Sequence, residues 1–277
     1  MTYKTILVHL DAGARTESRL VLADGLAERF DAHLVGLFAP AEPKLPPYVE
    51  AAGGPVLRET MAKHRAEAEA KTRAAFDRFA KRNGGARAEW RAASGEPSIA
   101  LRTSARYADL VVAGQPEPGD PGETRGLADE LALFTGRPVL FVPYAGKFSA
   151  VGQRVLVAWD AGREAARAVS DALPFLRQAQ AVEVCAFDPD RGRRAHGEVP
   201  GADVGLWLAR HGVKVQAARQ SGAGFEVGSQ ILSRAADFGA DLIVMGAYGH
   251  ARVRELVLGG VTRTLLESMT VPVLMSH

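Results

Sequence analysis

Ile6-Leu-Val-His-Leu-Asp-Ala-Gly13 returns later in the chain as Val155-Leu-Val-Ala-Trp-Asp-Ala-Gly162. Each is an apolar, β-branched run that stops at an aspartate and a small-residue turn. Such a run suits a strand buried on both faces. The repeat extends outward in constant order. Ser94-Gly95 returns as Ser221-Gly222, and Ala108-Asp-Leu-Val-Val-Ala-Gly114 as Ala240-Asp-Leu-Ile-Val-Met-Gly246. Arg137-Pro-Val-Leu-Phe-Val142 is echoed by Val271-Pro-Val-Leu-Met275. A period this long means two copies of a domain and excludes a solenoid of small units.

Each copy reads strand, helix, strand, variable segment, strand, helix, strand, helix, strand. The predicted strands are Thr5–Leu10, His33–Phe38, Arg87–Ala92, Asp109–Ala113 and Val139–Val142 in the first copy. In the second they are Arg154–Trp159, Val182–Phe187, Lys214–Arg219, Asp241–Met245 and Val273–Met275. Leu22, Leu26 and Phe30 recur at helical spacing after the first strand, as do Ala166, Val169, Leu173 and Leu176 in the second copy. Alternating strands and helices predict two tandem α/β domains, 1–146 and 151–277, each with a five-stranded parallel sheet between two helical layers. The boundary falls in the small, polar stretch Ala145–Gln153. The variable segment of the first copy predicts a long charged helix, Pro55–Arg82, with Met61, Ala68, Ala75, Phe76 and Phe79 as its apolar stripe.

Composition narrows the function classes. Thirty-four basic residues stand against 32 acidic ones, a net charge of +2, so the chain carries no large basic excess for nucleic acid. The lone Cys185 cannot form an internal disulfide, excludes cysteine-based zinc sites and reads as a buried, inert thiol. No apolar run approaches the ~18–20 residues of a membrane helix, and the N-terminal apolar stretch is too short for a signal peptide. The expectation is a cytoplasmic protein with no nucleic acid or membrane partner.

In an open parallel sheet, ligands bind beyond the carboxyl ends of the strands where strand order reverses. The candidates are therefore Asp11 and Asp160 after the first strand of each copy, and the segments after Gly114 and Gly246. An aspartate there can accept hydrogen bonds from a base or ribose; it can equally cap the next helix, and the residue type alone leaves both open. After the second copy's fourth strand comes Gly246-Ala-Tyr-Gly249, then Gly259-Gly260-Val261-Thr262 at the start of a helix. Glycines let backbone amides approach a ligand, and the first amides of a helix favour anions. His250, Arg252 and Arg254 lie between them as further donors. A plain strand-to-helix connection would use the same glycines.

The spacing Gly-x2-Gly-x9-Gly after a strand and before the last helix resembles the ATP-binding loop of the universal stress protein family. The strand-one aspartate, the paired copies and the closing Val-Pro-Val-Leu resemble it too, over nearly the whole chain. The resemblance implies a fold of the adenine nucleotide alpha hydrolase type, a role in stress response, and ATP or AMP as ligand, with Mg²⁺ on the phosphates of ATP. Carried over by position, Asp160 would contact adenine or ribose, Gly246 and Gly249 would line the ribose and phosphate path, and Gly259, Gly260 and Val261 would offer amides to phosphate. One departure is Gly260, where ATP-binding members carry Ser or Thr. Losing one neutral hydrogen bond, ~0.5–1.5 kcal/mol, would weaken binding by up to about tenfold. Thr262, two residues on, could replace the hydroxyl if the loop brings it close.

The first copy departs further. After Gly114 come Gln-Pro-Glu-Pro-Gly-Asp-Pro-Gly-Glu123, in which prolines remove amide donors and Glu117, Asp120 and Glu123 would repel phosphate. That copy is expected to bind no nucleotide this way. Three readings follow: an adenine nucleotide-binding stress protein with one site in the second domain; a tandem scaffold acting through protein partners; and an enzyme turning over phosphate, which ranks last because only His250 offers a general base. The family's last strand is a sheet edge that pairs with another domain. Tandem copies can satisfy it within the chain as a pseudo-dimer, and a homodimer of chains is a further option.

Overall fold

The computed structural model describes residues 2–41, 47–82, 87–117, 122–189, 199–222, 224–249 and 260–277. In chain order the strands are β1 (Thr5–Leu10), β2 (His33–Phe38), β3 (Ala88–Ala92), β4 (Leu110–Gly114), β5 (Val139–Val142), β6 (Arg154–Trp159), β7 (Ala181–Phe187), β8 (Val215–Gln220), β9 (Leu242–Gly246) and β10 (Val273–Ser276). The helices are α1 (Thr16–Phe30), α2 (Pro47–Arg82), α3 (Pro97–Ala105), α4 (Gly122–Phe134), α5 (Arg163–Asp171), α6 (Leu173–Leu176), α7 (Ala202–Arg210), α8 (Val227–Phe238) and α9 (Gly260–Ser268). Helix α2 starts at Pro47 rather than Pro55. Pro55 lies inside it, and Phe76 and Phe79 are its buried aromatic residues.

The ten strands form one continuous sheet in the order β3-β2-β1-β4-β5-β10-β9-β6-β7-β8. Each half is parallel. The halves meet at β5 and β10, which pair antiparallel with Val273 opposite Phe141 and Met275 opposite Val139. Both strands are fully buried, so neither presents an edge to solvent. The pairing expected between family domains is made here inside one chain, and the sheet's outer edges are β3 and β8.

Side chains alternate between the two faces of the sheet. Ile6, Val8, Val155 and Val157 join one buried cluster with Leu26, Phe30 and Phe175, while Leu7, Leu156 and Ile243 join the other with Leu101, Ile231 and Leu265. Helices cover both faces, which is why the strands read as unbroken apolar runs. Each cluster crosses from one half to the other. Phe30 meets Tyr3 and Phe175 edge-on at the crossing, Tyr3 and Phe175 are tilted against each other, and the ring centroids lie 5.0 to 5.6 Å apart.

The repeated Ala-Asp-Leu has a structural cause. Asp109 accepts the amides of Lys4 and Thr5 at 2.7 and 2.9 Å, fixing the start of β1 to the start of β4. Asp241 does the same for Gly152, Gln153 and Arg154 at the start of β6. Among the described residues no helix is long and apolar enough to cross a membrane.

Candidate functional site

Strand order reverses at β1 in the first half and at β6 in the second, because each has neighbours that follow it in the chain on both sides. The carboxyl ends of β1 with β4, and of β6 with β9, are therefore the two places where the fold leaves a crevice.

In the first half the protein fills that place itself. Arg19, one turn into α1, turns inward. Its Nη2 donates to Asp11 Oδ2 at 2.6 Å and to the Thr16 hydroxyl at 3.0 Å, and its Nε donates to the His9 carbonyl at 3.2 Å. The Arg19 side chain is 7% exposed. The Thr16 hydroxyl also donates to Asp11 Oδ1, which accepts the Gly13 amide at 2.8 Å. Burial by itself would push the Asp11 carboxyl up, but Arg19, His9, Thr16 and Gly13 together hold it well below the usual carboxylate range. His9 moves down from its ordinary value, because burial disfavours the imidazolium and outweighs the pull of Asp11. A Cβ on Gly114 would lie 2.5 Å from Arg19 Nη1, so Gly114 is the surface on which the guanidinium rests. Glu117 lies beyond, 3.9 Å from Arg15. Asp120 falls outside the described residues.

Among the described residues the second half has no arginine in the position of Arg19. Ala168 stands eight places after Asp160 as Arg19 does after Asp11, and it is fully buried. Asp160 Oδ1 accepts the Gly162 amide at 2.8 Å, the turn-capping role the residue type allowed. Its Oδ2 faces Gly249, lying 3.4 Å from where a Cβ would stand. Glu164, in the first turn of α5 and 4% exposed, brings Oε2 to 3.1 Å from the same point. Its Oε1 takes the Nε–H of the exposed Arg163 at 2.5 Å. Two carboxylates thus border Gly249. Gly246 has a different cause: a Cβ there would sit 2.5 Å from the Ala165 amide nitrogen, so α5 packs directly on it.

The turn Gly246–Gly249 is held from several sides. The Ala247 amide donates to the Ser276 carbonyl at 2.8 Å, and His277 Nδ1 lies 2.9 Å from the Ala247 carbonyl. Tyr248 has a left-handed backbone, φ 58°. Its amide donates to the Thr262 hydroxyl at 3.1 Å, and its phenol donates to Asp129 Oδ1 in the first half at 2.5 Å. Burial, then the bond to Asp129, pushes the Tyr248 phenol far up. Thr262 is 2% exposed and tied into this turn. Val261 is half-buried against the sheet, and Gly260 opens α9 with free space around its Cβ position. Gly259, His250, Arg252 and Arg254 fall outside the described residues.

Of the residues singled out in the sequence, Asp160 and Gly249 are brought together, Gly246 supports α5, and Thr262 supports Tyr248. The sequence reading passed over Arg19, Glu164, Tyr248 and Asp129. Arg19 falls on the same helical stripe as Leu22, Leu26 and Phe30, and Glu164 on that of Ala168. A charge on an apolar stripe was the available signal. Nothing local marks the Tyr248–Asp129 contact, which spans 119 positions. Among the described residues no group of three or more His, Cys, Asp or Glu is placed to hold a metal ion.

A model of the Universal stress protein family matches residues 152–277. Among solved structures, a universal stress protein from Archaeoglobus fulgidus DSM 4304 superposes with a TM-score of 0.72 at 17% identity, covering 98% of this chain and 95% of that one. A protein of unknown function from Pseudomonas aeruginosa PAO1 superposes with a TM-score of 0.59 at 15% identity, covering 99% and 92%. At such identities the likeness is one of fold. No protein of curated function matches the chain. Residues 152–277 thus match the universal stress protein family, and residues 1–151 repeat the same strand order.

Proposed function

We propose that the protein is a cytoplasmic stress-response protein that binds one adenine nucleotide, in its second half. The observation that carries this reading is the meeting of Asp160 with Gly249 at the strand-order reversal, in the half whose last helix, α9, begins at Gly260. Asp160 Oδ1 accepts the Gly162 amide and Oδ2 faces Gly249; a carboxylate oxygen accepts more than one hydrogen bond, so a ribose hydroxyl or an adenine amino group would add to the contacts the side chain already makes. Gly259, Gly260 and Val261 would offer amides to the phosphates. The first half offers no equivalent, because Arg19 fills its crevice.

The residues fit Mg²⁺ together with the nucleotide better than the nucleotide alone. Asp160 and Glu164 put two carboxylates beside the proposed phosphate path, their oxygens 3.4 and 3.1 Å from the Cβ position of Gly249, and like charges sharing a site repel each other and a phosphate. A divalent cation would offset that repulsion. Glu164→Gln is therefore expected to tighten binding of ATP without Mg²⁺ and to change binding of MgATP less, as read by titration calorimetry with and without chelator.

The reading is tested by mass spectrometry of small molecules released from gently purified protein, beside Asp160→Ala and Asp160→Asn. The asparagine can still cap the Gly162 turn, so it separates loss of the charge from loss of the turn. The expected result is an adenine nucleotide carried by the native chain and absent from both variants. No nucleotide in any sample, with no thermal shift on adding millimolar ATP, would contradict the reading. That outcome would favour the tandem scaffold acting through protein partners, which the engagement of Thr262 with Tyr248 and the missing hydroxyl at Gly260 support.

A further inference from the structure

The described ends of the second half's loop and helix are tied to the first half at two points. At one end, the Tyr248 phenol donates to Asp129 of α4 at 2.5 Å. At the other, Gln115, which follows β4 and is 5% exposed, donates from Nε2 to the carbonyl of Leu266 near the end of α9 at 3.0 Å. Gln115 is itself fixed, since its Oε1 accepts the Tyr144 amide at 3.1 Å. The ties run one way. Pro116 follows Gln115 where Tyr248 follows Ala247, and proline has no hydroxyl to offer in return.

We propose that Asp129 and Gln115 are positioning residues: the first half is a clamp that sets the Gly246–Gly249 turn and α9 of the second half, with Asp129 acting through Tyr248. The left-handed backbone of Tyr248 is unfavourable for a residue with a Cβ and persists only where its surroundings fix it. Here the amide is fixed by Thr262 and the ring by Asp129. The next residue is Gly249, whose position against Asp160 and Glu164 follows from that backbone angle. Release of the phenol lets Tyr248 return to a negative φ, which carries Gly249 away from Asp160. The half that has lost its own crevice to Arg19 is thereby retained as the support of the other. As far as it concerns ligand affinity, this inference rests on the nucleotide reading above.

The test uses the full chain with Tyr248→Phe, Asp129→Ala, Asp129→Asn and the Tyr248→Phe/Asp129→Ala double variant. Two readouts are taken: amide hydrogen exchange at Ala247, Tyr248 and Gly249 in ligand-free protein, and calorimetric titration with MgATP. Tyr248→Phe and Asp129→Ala are each expected to speed exchange in the turn while β6 stays protected, and to weaken MgATP about tenfold. The double variant is expected to be no worse than either single one. Asp129→Asn keeps an oxygen that accepts the phenol and is expected to restore both readouts, which a general loss of stability would not do. Unchanged exchange and unchanged affinity in Tyr248→Phe and Asp129→Ala would overturn the clamp. Faster exchange in a protein that binds no MgATP even as wild type would uphold the clamp and overturn the nucleotide reading instead.

Discussion

Arg19 carries more of the first half's chemistry than any other side chain. It neutralises Asp11 while nearly out of water, so removing it strands a carboxylate that the fold has committed to ionisation. Arg19→Met is expected to lower the unfolding free energy by about 3 kcal/mol or more in urea titrations, and Arg19→Met/Asp11→Asn to recover much of that loss. His9 makes the same cluster sensitive to pH. Its folded value lies below the ~6.5 of an exposed histidine, so the unfolded chain binds the proton first and stability falls as pH drops through about 6.5. Asp11 acts lower on the scale: its contribution is complete above ~3.9 and is lost as pH falls further toward its depressed folded value. Urea midpoints near pH ~7.5 and ~5.5 should therefore differ, and His9→Gln should reduce the difference. Cys185 is fully buried, and burial reinforced by Glu183 pushes its thiol up to about 12. Native protein should not react with a thiol reagent at neutral pH, whereas urea-unfolded protein should.

At the scale of elements, the sequence was legible wherever a segment's burial was uniform. Strands enclosed by helices on both faces read as apolar runs, and all ten were found within a residue or two of their observed ends. Helix α2 was found short at its start because Pro55 reads as a boundary, while the structure carries it inside the helix. The site was legible only in part. Glycine spacing located Gly246 and Gly249 but could not assign their causes, since close packing of α5 and close approach of a ligand demand the same absent Cβ. Gly246→Ala should displace α5, at a cost of about 1–3 kcal/mol by thermal or urea denaturation. Gly260 is the opposite case. Its Cβ position has nothing within 4 Å, so Gly260→Ser should be accepted and should restore the hydroxyl found in ATP-binding members. MgATP is expected to bind Gly260→Ser more tightly, by up to about tenfold, and unchanged affinity would show that this hydroxyl does not reach the phosphates.

Across the whole molecule, two repeated domains have diverged in their crevices while keeping their shared sheet. The β5–β10 junction and the Tyr3–Phe30–Phe175 contact join the halves through both backbone and core. The fragment 151–277 alone would expose β10 as an unpaired apolar edge, and light scattering is expected to find it self-associated. The long-range contacts, Tyr248 to Asp129 and Gln115 to Leu266, were not legible in the sequence, because a repeat predicts symmetry and these ties exist only where the copies differ. One crevice is filled by Arg19, and the other, beside Asp160, is the proposed nucleotide site. Calorimetric titration of the full chain with MgATP tests that claim most directly. It predicts one nucleotide per chain, lost in Asp160→Asn and retained in Arg19→Met as far as that variant stays folded. Two nucleotides per chain, or one that survives in Asp160→Asn, would contradict it.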